Sequence, residues 1–162
     1  MCDSNRVLTR GGRRYTVAFI DYYYRYCYVF LLKSKDEVLD KFKTYTAKVE
    51  NQLQKNIMTL RSDRGWEYTS NDMTQFCEEH GIIYEVIASY SPQSNGVVER
   101  NNRTLMDMVN AFLLSSGAPH NLWGKALLTA CYIQNRVPQK TLDTTSYELW
   151  KKRAPRLSHL RV

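Results

Sequence analysis

Leu60-Arg61-Ser62-Asp63-Arg64-Gly65-Trp66-Glu67-Tyr68, followed by Tyr90-Ser91-Pro92-Gln93-Ser94-Asn95-Gly96-Val97-Val98-Glu99-Arg100-Asn101-Asn102-Arg103-Thr104-Leu105, is the part of the chain on which fold and chemistry turn. Residues 57–61 form a short apolar run expected to be a strand, and Asp63 stands just past its end. Strand ends are where an α/β sheet exposes its functional loops. Glu99 falls in the opening turn of a helix expected from Val97, and 35 residues separate it from Asp63. An isolated glutamate there needs no function, because it complements the helix dipole. Two carboxylates converging on one hard cation would instead suit Mg²⁺. With a third, such a site holds two ions about 4 Å apart for in-line phosphoryl transfer.

Outward from this pair the chain alternates strand and helix patterns. Residues 15–21 and 26–32 are β-branched and aromatic runs joined by a short polar turn, which predicts a hairpin. Ser34 and Glu37 have the spacing of a capping box. Val38, Phe42, Tyr45, Val49 and Leu53 then recur on one helical face. Met73, Phe76, Cys77 and His80 predict a helix stopped by Gly81, with a strand at residues 82–87. Pro92 and Asn95-Gly96 predict a loop over residues 89–96. Past Val97, the residues Val98, Leu105, Val109 and Phe112 define a helix closed by Gly117-Ala118-Pro119. Asn121 is placed to cap a further helix to about Arg136, and Thr145-Ser146-Tyr147-Glu148 reads as a second capping box leading into Trp150. Strands interleaved with helices and followed by a helical half predict an α/β layered domain.

The 162 residues match one domain, with 43% hydrophobic and 24% charged side chains, which excludes a disordered chain. The longest apolar run, residues 26–32, is far short of the ~20 residues a membrane span needs. A net charge of +7 favours a polyanionic partner. Tyrosines at 22–24, 26 and 28 suit either base stacking or, more ordinarily, packing of a pleated face. Cys2, Cys27, Cys77 and Cys131 lack zinc-site spacing, so reduced thiols of an intracellular protein are expected.

Taken together, the two opening segments closely resemble the integrase catalytic core of copia-type LTR retrotransposon Gag-Pol polyproteins. The resemblance extends to residues 15–21, 32–37, 77–83, 135–138 and 147–150, nearly end to end. It implies a ribonuclease H-like fold, a mixed five-stranded sheet flanked by helices. Asp63 and Glu99 correspond to the second and third metal-binding carboxylates of the family triad, which takes two Mg²⁺ or Mn²⁺ ions. The implied reaction is DNA integration: trimming of element DNA ends, then attack of the 3′-hydroxyl on target DNA. Residues 91–96, with Pro92, Asn95 and Gly96, correspond to a mobile catalytic loop. Gln93, Asn95, Arg100 and Arg103 become candidate nucleic-acid contacts. Asn102, Arg103 and Met106 share roughly the Glu99 side of the helix, and Leu105 and Val109 point elsewhere. Partners by family are element and target DNA and further copies of the chain, in the nucleus, without a membrane.

The sequence also departs from that family. Met1-Cys2-Asp3 corresponds to the segment just after the first catalytic Asp, which places that Asp one position before Met1 and leaves most of the first strand out. Asp3 lies an odd number of residues from the missing position and so faces the other side of the strand. Asp21 accompanies the triad in relatives without belonging to it. Trp66 replaces a usual Gly, Tyr22 a frequent Asp, and the family's upstream zinc-binding region is absent. These departures predict an inactive copy. A non-enzymatic nucleic-acid-binding remnant is the alternative, with a ribonuclease H-like nuclease behind it. The expected division is a core over residues 1–150 and a basic extension over 151–162, whose Lys151-Lys152-Arg153 is too short for a nuclear signal.

Overall fold

The computed structural model describes residues 2–3, 7–63, 70–87, 92–138 and 143–158, giving residues 2–3, 63, 70 and 92–95 by backbone alone. The predicted hairpin is β2 (Tyr15–Ile20) and β3 (Cys27–Leu32), paired antiparallel from Tyr15 opposite Leu32 to Ile20 opposite Cys27. The short strand β1 (Cys2–Asp3) lies antiparallel along β2, with Cys2 opposite Thr16. β4 (Thr59–Asp63) and β5 (Ile83–Ile87) pair in parallel through the crossover helix α2 (Ser70–Glu79). Among the described residues five strands of mixed direction are present, though not joined as the single five-stranded sheet expected. Among the described residues their hydrogen bonds form two ladders, β1-β2-β3 and β4-β5.

The hairpin's two-residue period sorts its side chains into two cores. Val17, Phe19, Tyr28, Phe30 and Leu32 meet α1 (Val38–Leu53), and Ala18, Ile20, Cys27, Val29 and Leu31 meet α3 (Pro92–Ser116) and α4 (Trp123–Gln134). α1 buries Val38, Phe42, Tyr45 and Val49, the face its periodicity predicts, with Phe42 and Tyr45 centred 5.5 and 5.0 Å from the Phe19 ring. The tyrosines divide: Tyr24 and Tyr26 are buried, while Tyr22 and Tyr23 are exposed. α5 (Ser146–Lys151) begins with the predicted capping box, Thr145 Oγ1 accepting from the Glu148 amide and Glu148 accepting from that of Thr145. It delivers Trp150 onto Tyr26, at 4.9 Å and nearly parallel.

A buried amide ties the two layers together. Asn135, just past α4, accepts from the Cys27 N–H (2.9 Å) and donates to the Cys27 carbonyl (2.8 Å). Its own carbonyl accepts from the Tyr147 amide at the start of α5 (2.7 Å). Cys131 Sγ also donates to the Cys27 carbonyl. The Cys27 thiol, hydrogen-bonded to Cys131 and buried, is pushed well above its ordinary pKa, so it is a packing group rather than a nucleophile. Asn135→Ala leaves the buried Cys27 amide without its acceptor, and is expected to cost about 2–3 kcal/mol, readable as a lowered midpoint in chemical denaturation.

Several local expectations need correction. Strand β4 runs two residues later than predicted, because Met58 leads into the ladder by accepting from the Ile83 amide. Ser34 makes no side-chain cap: the 3₁₀ turn Lys35–Glu37 intervenes before α1, so its hydroxyl does not meet that helix's first amides. Asn121 sits inside the 3₁₀ turn His120–Leu122 instead of ahead of α4. Val98 is exposed, whereas Leu105 and Val109 are buried as expected. The predicted loop is helical from Pro92 onward. Proline suits the first helical position, where its missing N–H would have no partner. Residues 89–91 lie outside the described residues.

Candidate active site

Asp63 is the last residue of β4, opposite Ile87 of β5, at the carboxyl end of the parallel ladder. The preceding residues hold the strand in place. Ser62 is buried with its hydroxyl 2.9 Å from that of Tyr84, and Arg61 Nε lies 2.6 Å from Glu85 Oε2 across the ladder. Both pairings join β4 to β5 directly beneath Asp63.

Glu99 lies in the second turn of α3, with its side chain exposed beside those of Arg100 and Arg103. The orientation of α3 follows from its opposite face. Leu105 and Val109 are buried in the second core. Asn101 Nδ2 points to Cys27 Sγ (3.5 Å), and its Oδ1 accepts from Gln134 Nε2 (2.7 Å). This clamp, which sequence reading missed, sets the rotation that presents Glu99 and both arginines outward. The polar Asn101-Asn102 step inside an otherwise amphipathic helix is its only signal in the sequence. Asn102 and Met106 line a shallow pocket with Thr16, Val29 and Leu127.

The remaining predicted site residues divide by position. Pro92, Gln93 and Asn95 lie on the first turn of α3, of which the backbone is described, and Gly96 follows them in the same helix. Space around Gly96 is open, and its φ is not positive. Gly96→Ala is therefore expected to stabilise the chain by about 0.5–1 kcal/mol, checked by its denaturation midpoint. Trp66 lies outside the described residues. Asp21, the spare carboxylate, accepts from the Tyr24 amide at 2.6 Å and so serves the hairpin turn.

Carboxylates are hard oxygen donors of the kind Mg²⁺ and Mn²⁺ take. Among the described residues no three His, Cys, Asp or Glu side chains gather as a metal-binding cluster. By donor type alone, Asp63 and Glu99 are carboxylates that fit a divalent cation.

The family of the Integrase core domain matches residues 4–92, more than half the chain. The chain belongs to that family, and its fold is ribonuclease H-like. Solved structures similar to it include the HTLV-2 integrase catalytic core domain in complex with magnesium, in a trimeric form (TM-score 0.60, 18% identity, 82% of each chain). A chain of the simian T-cell lymphotropic virus intasome in complex with PP2A regulatory subunit B56 gamma is also similar (TM-score 0.67, 20% identity, 91% of this chain and 51% of that one). More specifically, the chain is related to retrotransposon polyproteins. It is 39% identical over its whole length to 12% of the Retrovirus-related Pol polyprotein from transposon TNT 1-94 of Nicotiana tabacum. It is 33% identical over 88% of its length to 10% of that from transposon RE2 of Arabidopsis thaliana. The Ty1-NL2 Gag-Pol polyprotein of Saccharomyces cerevisiae is 32% identical over 79% of this chain and 7% of its own. The chain spans about a tenth of the curated relatives it matches. No helix among the described residues is long and apolar enough to cross a membrane.

Proposed function

We propose that this chain is the core of a copia-type DNA strand transferase, with Asp63 and Glu99 as two of its three metal-binding carboxylates. The observation that carries this is the Asp63–Glu99 spacing in a chain of the integrase core family, with Asp63 at the carboxyl end of a β-strand and Glu99 exposed on the following long helix. Bound Mg²⁺ or Mn²⁺ would activate the attacking oxygen and stabilise the leaving one. Arg100 and Arg103 hold phosphates of element or target DNA as charged donors beside Glu99. Gln93 and Asn95 contact the same strand from the first turn of α3, and Gly96 leaves its backbone open to close approach. Residues 1–150 are proposed as the core and 151–162 as a basic extension.

The resemblance aligns the first carboxylate of the triad ahead of Met1, so the active form proposed is residues 1–162 joined to a segment that carries that Asp. The proposed setting is intracellular and nuclear, with multimers of the chain on DNA, as suggested by the intasome and trimeric structures among its neighbours. A DNA-binding remnant without chemistry is the second reading, supported by the net charge of +7 and the exposed arginines of α3. The test is a Mn²⁺-dependent strand-transfer assay comparing residues 1–162 with the same residues preceded by the upstream segment carrying that Asp. Activity in the extended form alone supports the proposal. Silence in both favours the remnant.

A further inference from the structure

A second basic surface lies on the far side of the β2-β3 hairpin from Glu99. α1 and α5 cover one face of the hairpin and α3 with α4 the other, so Lys48, Lys151 and Lys152 belong to the layer opposite Arg100 and Arg103. At its centre Gln52 Oε1 accepts from Tyr28 OH (3.1 Å), Trp150 Nε1 (2.9 Å) and Lys151 Nζ (2.6 Å). Around this hub, lysine stems lie over aromatic rings. Lys48 Nζ is 5.4 Å from the Tyr28 centroid and 5.2 Å from that of Phe30. Lys152 and Lys55 stand over the same Tyr24 ring, at 5.4 and 6.0 Å.

The rings hold the ammonium groups in one patch although they repel one another. Burial, then the nearby Arg153, Arg136 and Lys48 charges, lower the pKa of Lys151, partly offset by Tyr147. The acids closest in sequence are directed elsewhere. Glu148 is engaged by Thr144 and Thr145, and Glu50 falls on another side of α1 from the Lys48–Gln52 row. Arg153 and Arg156 extend the positive charge past α5 on exposed positions. Compact point charges clustered on one surface suit repeated phosphates, whose contacts carry no sequence information.

We propose that Lys48, Lys55, Lys151 and Lys152 form a nucleic-acid docking surface that grips the phosphate backbone of a duplex without regard to sequence. It acts separately from the Asp63–Glu99 site. The experiment titrates the full 162-residue chain into a labelled 20-base-pair duplex over a range of salt, following fluorescence anisotropy. Each phosphate contact contributes about 0.9 to the slope of log affinity against log salt, so Lys48→Gln/Lys55→Gln/Lys152→Gln should lower the slope by about 2–3. At about 0.1 M salt the affinity should drop on the order of 10²-fold. The same drop is expected in an Arg100→Gln/Arg103→Gln background, and Lys125→Gln on exposed α4 should leave the slope nearly unchanged. The wild-type chain supplies a check free of mutation: duplex should protect Lys48, Lys55, Lys151 and Lys152 from acetylation and leave Lys125 of α4 reactive. An unchanged slope, unprotected lysines, or binding to an acidic peptide in preference to the duplex would each overturn the proposal.

Discussion

Trp150→Ala is expected to destabilise the chain by about 3–5 kcal/mol, the range for removing a large aromatic side chain from a core. Trp150 is 1% exposed. Its ring meets Tyr24, Tyr26 and Tyr28 with centroids 4.9–5.9 Å away, and its Nε1 donates to Gln52. Alanine would remove the side chain that stacks α5 on the hairpin's tyrosines, leaving a cavity lined by rings that the short helix is too constrained to fill. That loss is a large fraction of the 5–15 kcal/mol typical of a folded domain. Trp150→Phe keeps most of the apolar contact, gives up the hydrogen bond, and should cost only about 1–2 kcal/mol. Urea denaturation followed by far-ultraviolet circular dichroism separates the two variants. Equal, small effects would mean that α5 is not anchored as described.

The largest functional effects are expected at the two carboxylates. Asp63→Asn and Glu99→Gln keep size and shape but remove a charge from a site proposed to hold a divalent cation. In an active, extended form of the chain each should reduce strand transfer on the order of 10³-fold or more, because charge stabilisation by bound ions carries such a reaction. Glu99→Gln should not change stability by more than about 0.5 kcal/mol, the usual range for surface positions; Glu99 is exposed, and its helix is held by Asn101, Leu105 and Val109 instead. The double variant should be scarcely worse than either single one, since groups acting as a unit are not additive. Arg100→Gln should weaken DNA binding and leave the chemistry of bound DNA intact.

Much of the fold is legible in the sequence where one local pattern acts alone. The α1 face from Val38 to Val49, the hairpin, and the Thr145–Glu148 capping box all follow from period or spacing, and all are found. The start of α3 was obscured because Pro92 and Asn95-Gly96 are turn residues by preference, yet proline is also suited to a first helical turn. Ser34 and Asn121 have cap-forming side chains, but 3₁₀ turns displace them from the helix starts they were expected to close. The Asn101–Cys27 and Asn135–Cys27 bonds were illegible because they join residues 74 and 108 positions apart, a separation no local pattern reports. The motif set proposes Asp63 and Glu99 as the candidate site, whereas the clamp that orients α3 comes from the tertiary packing.

The most direct measurement is Mn²⁺-dependent strand transfer by residues 1–162 joined to the upstream Asp-bearing segment, run beside its Glu99→Gln counterpart under identical conditions. Strand transfer by the first and its loss in the second is the predicted result. Equal activity in both would contradict the assignment of Glu99, and with it the central claim.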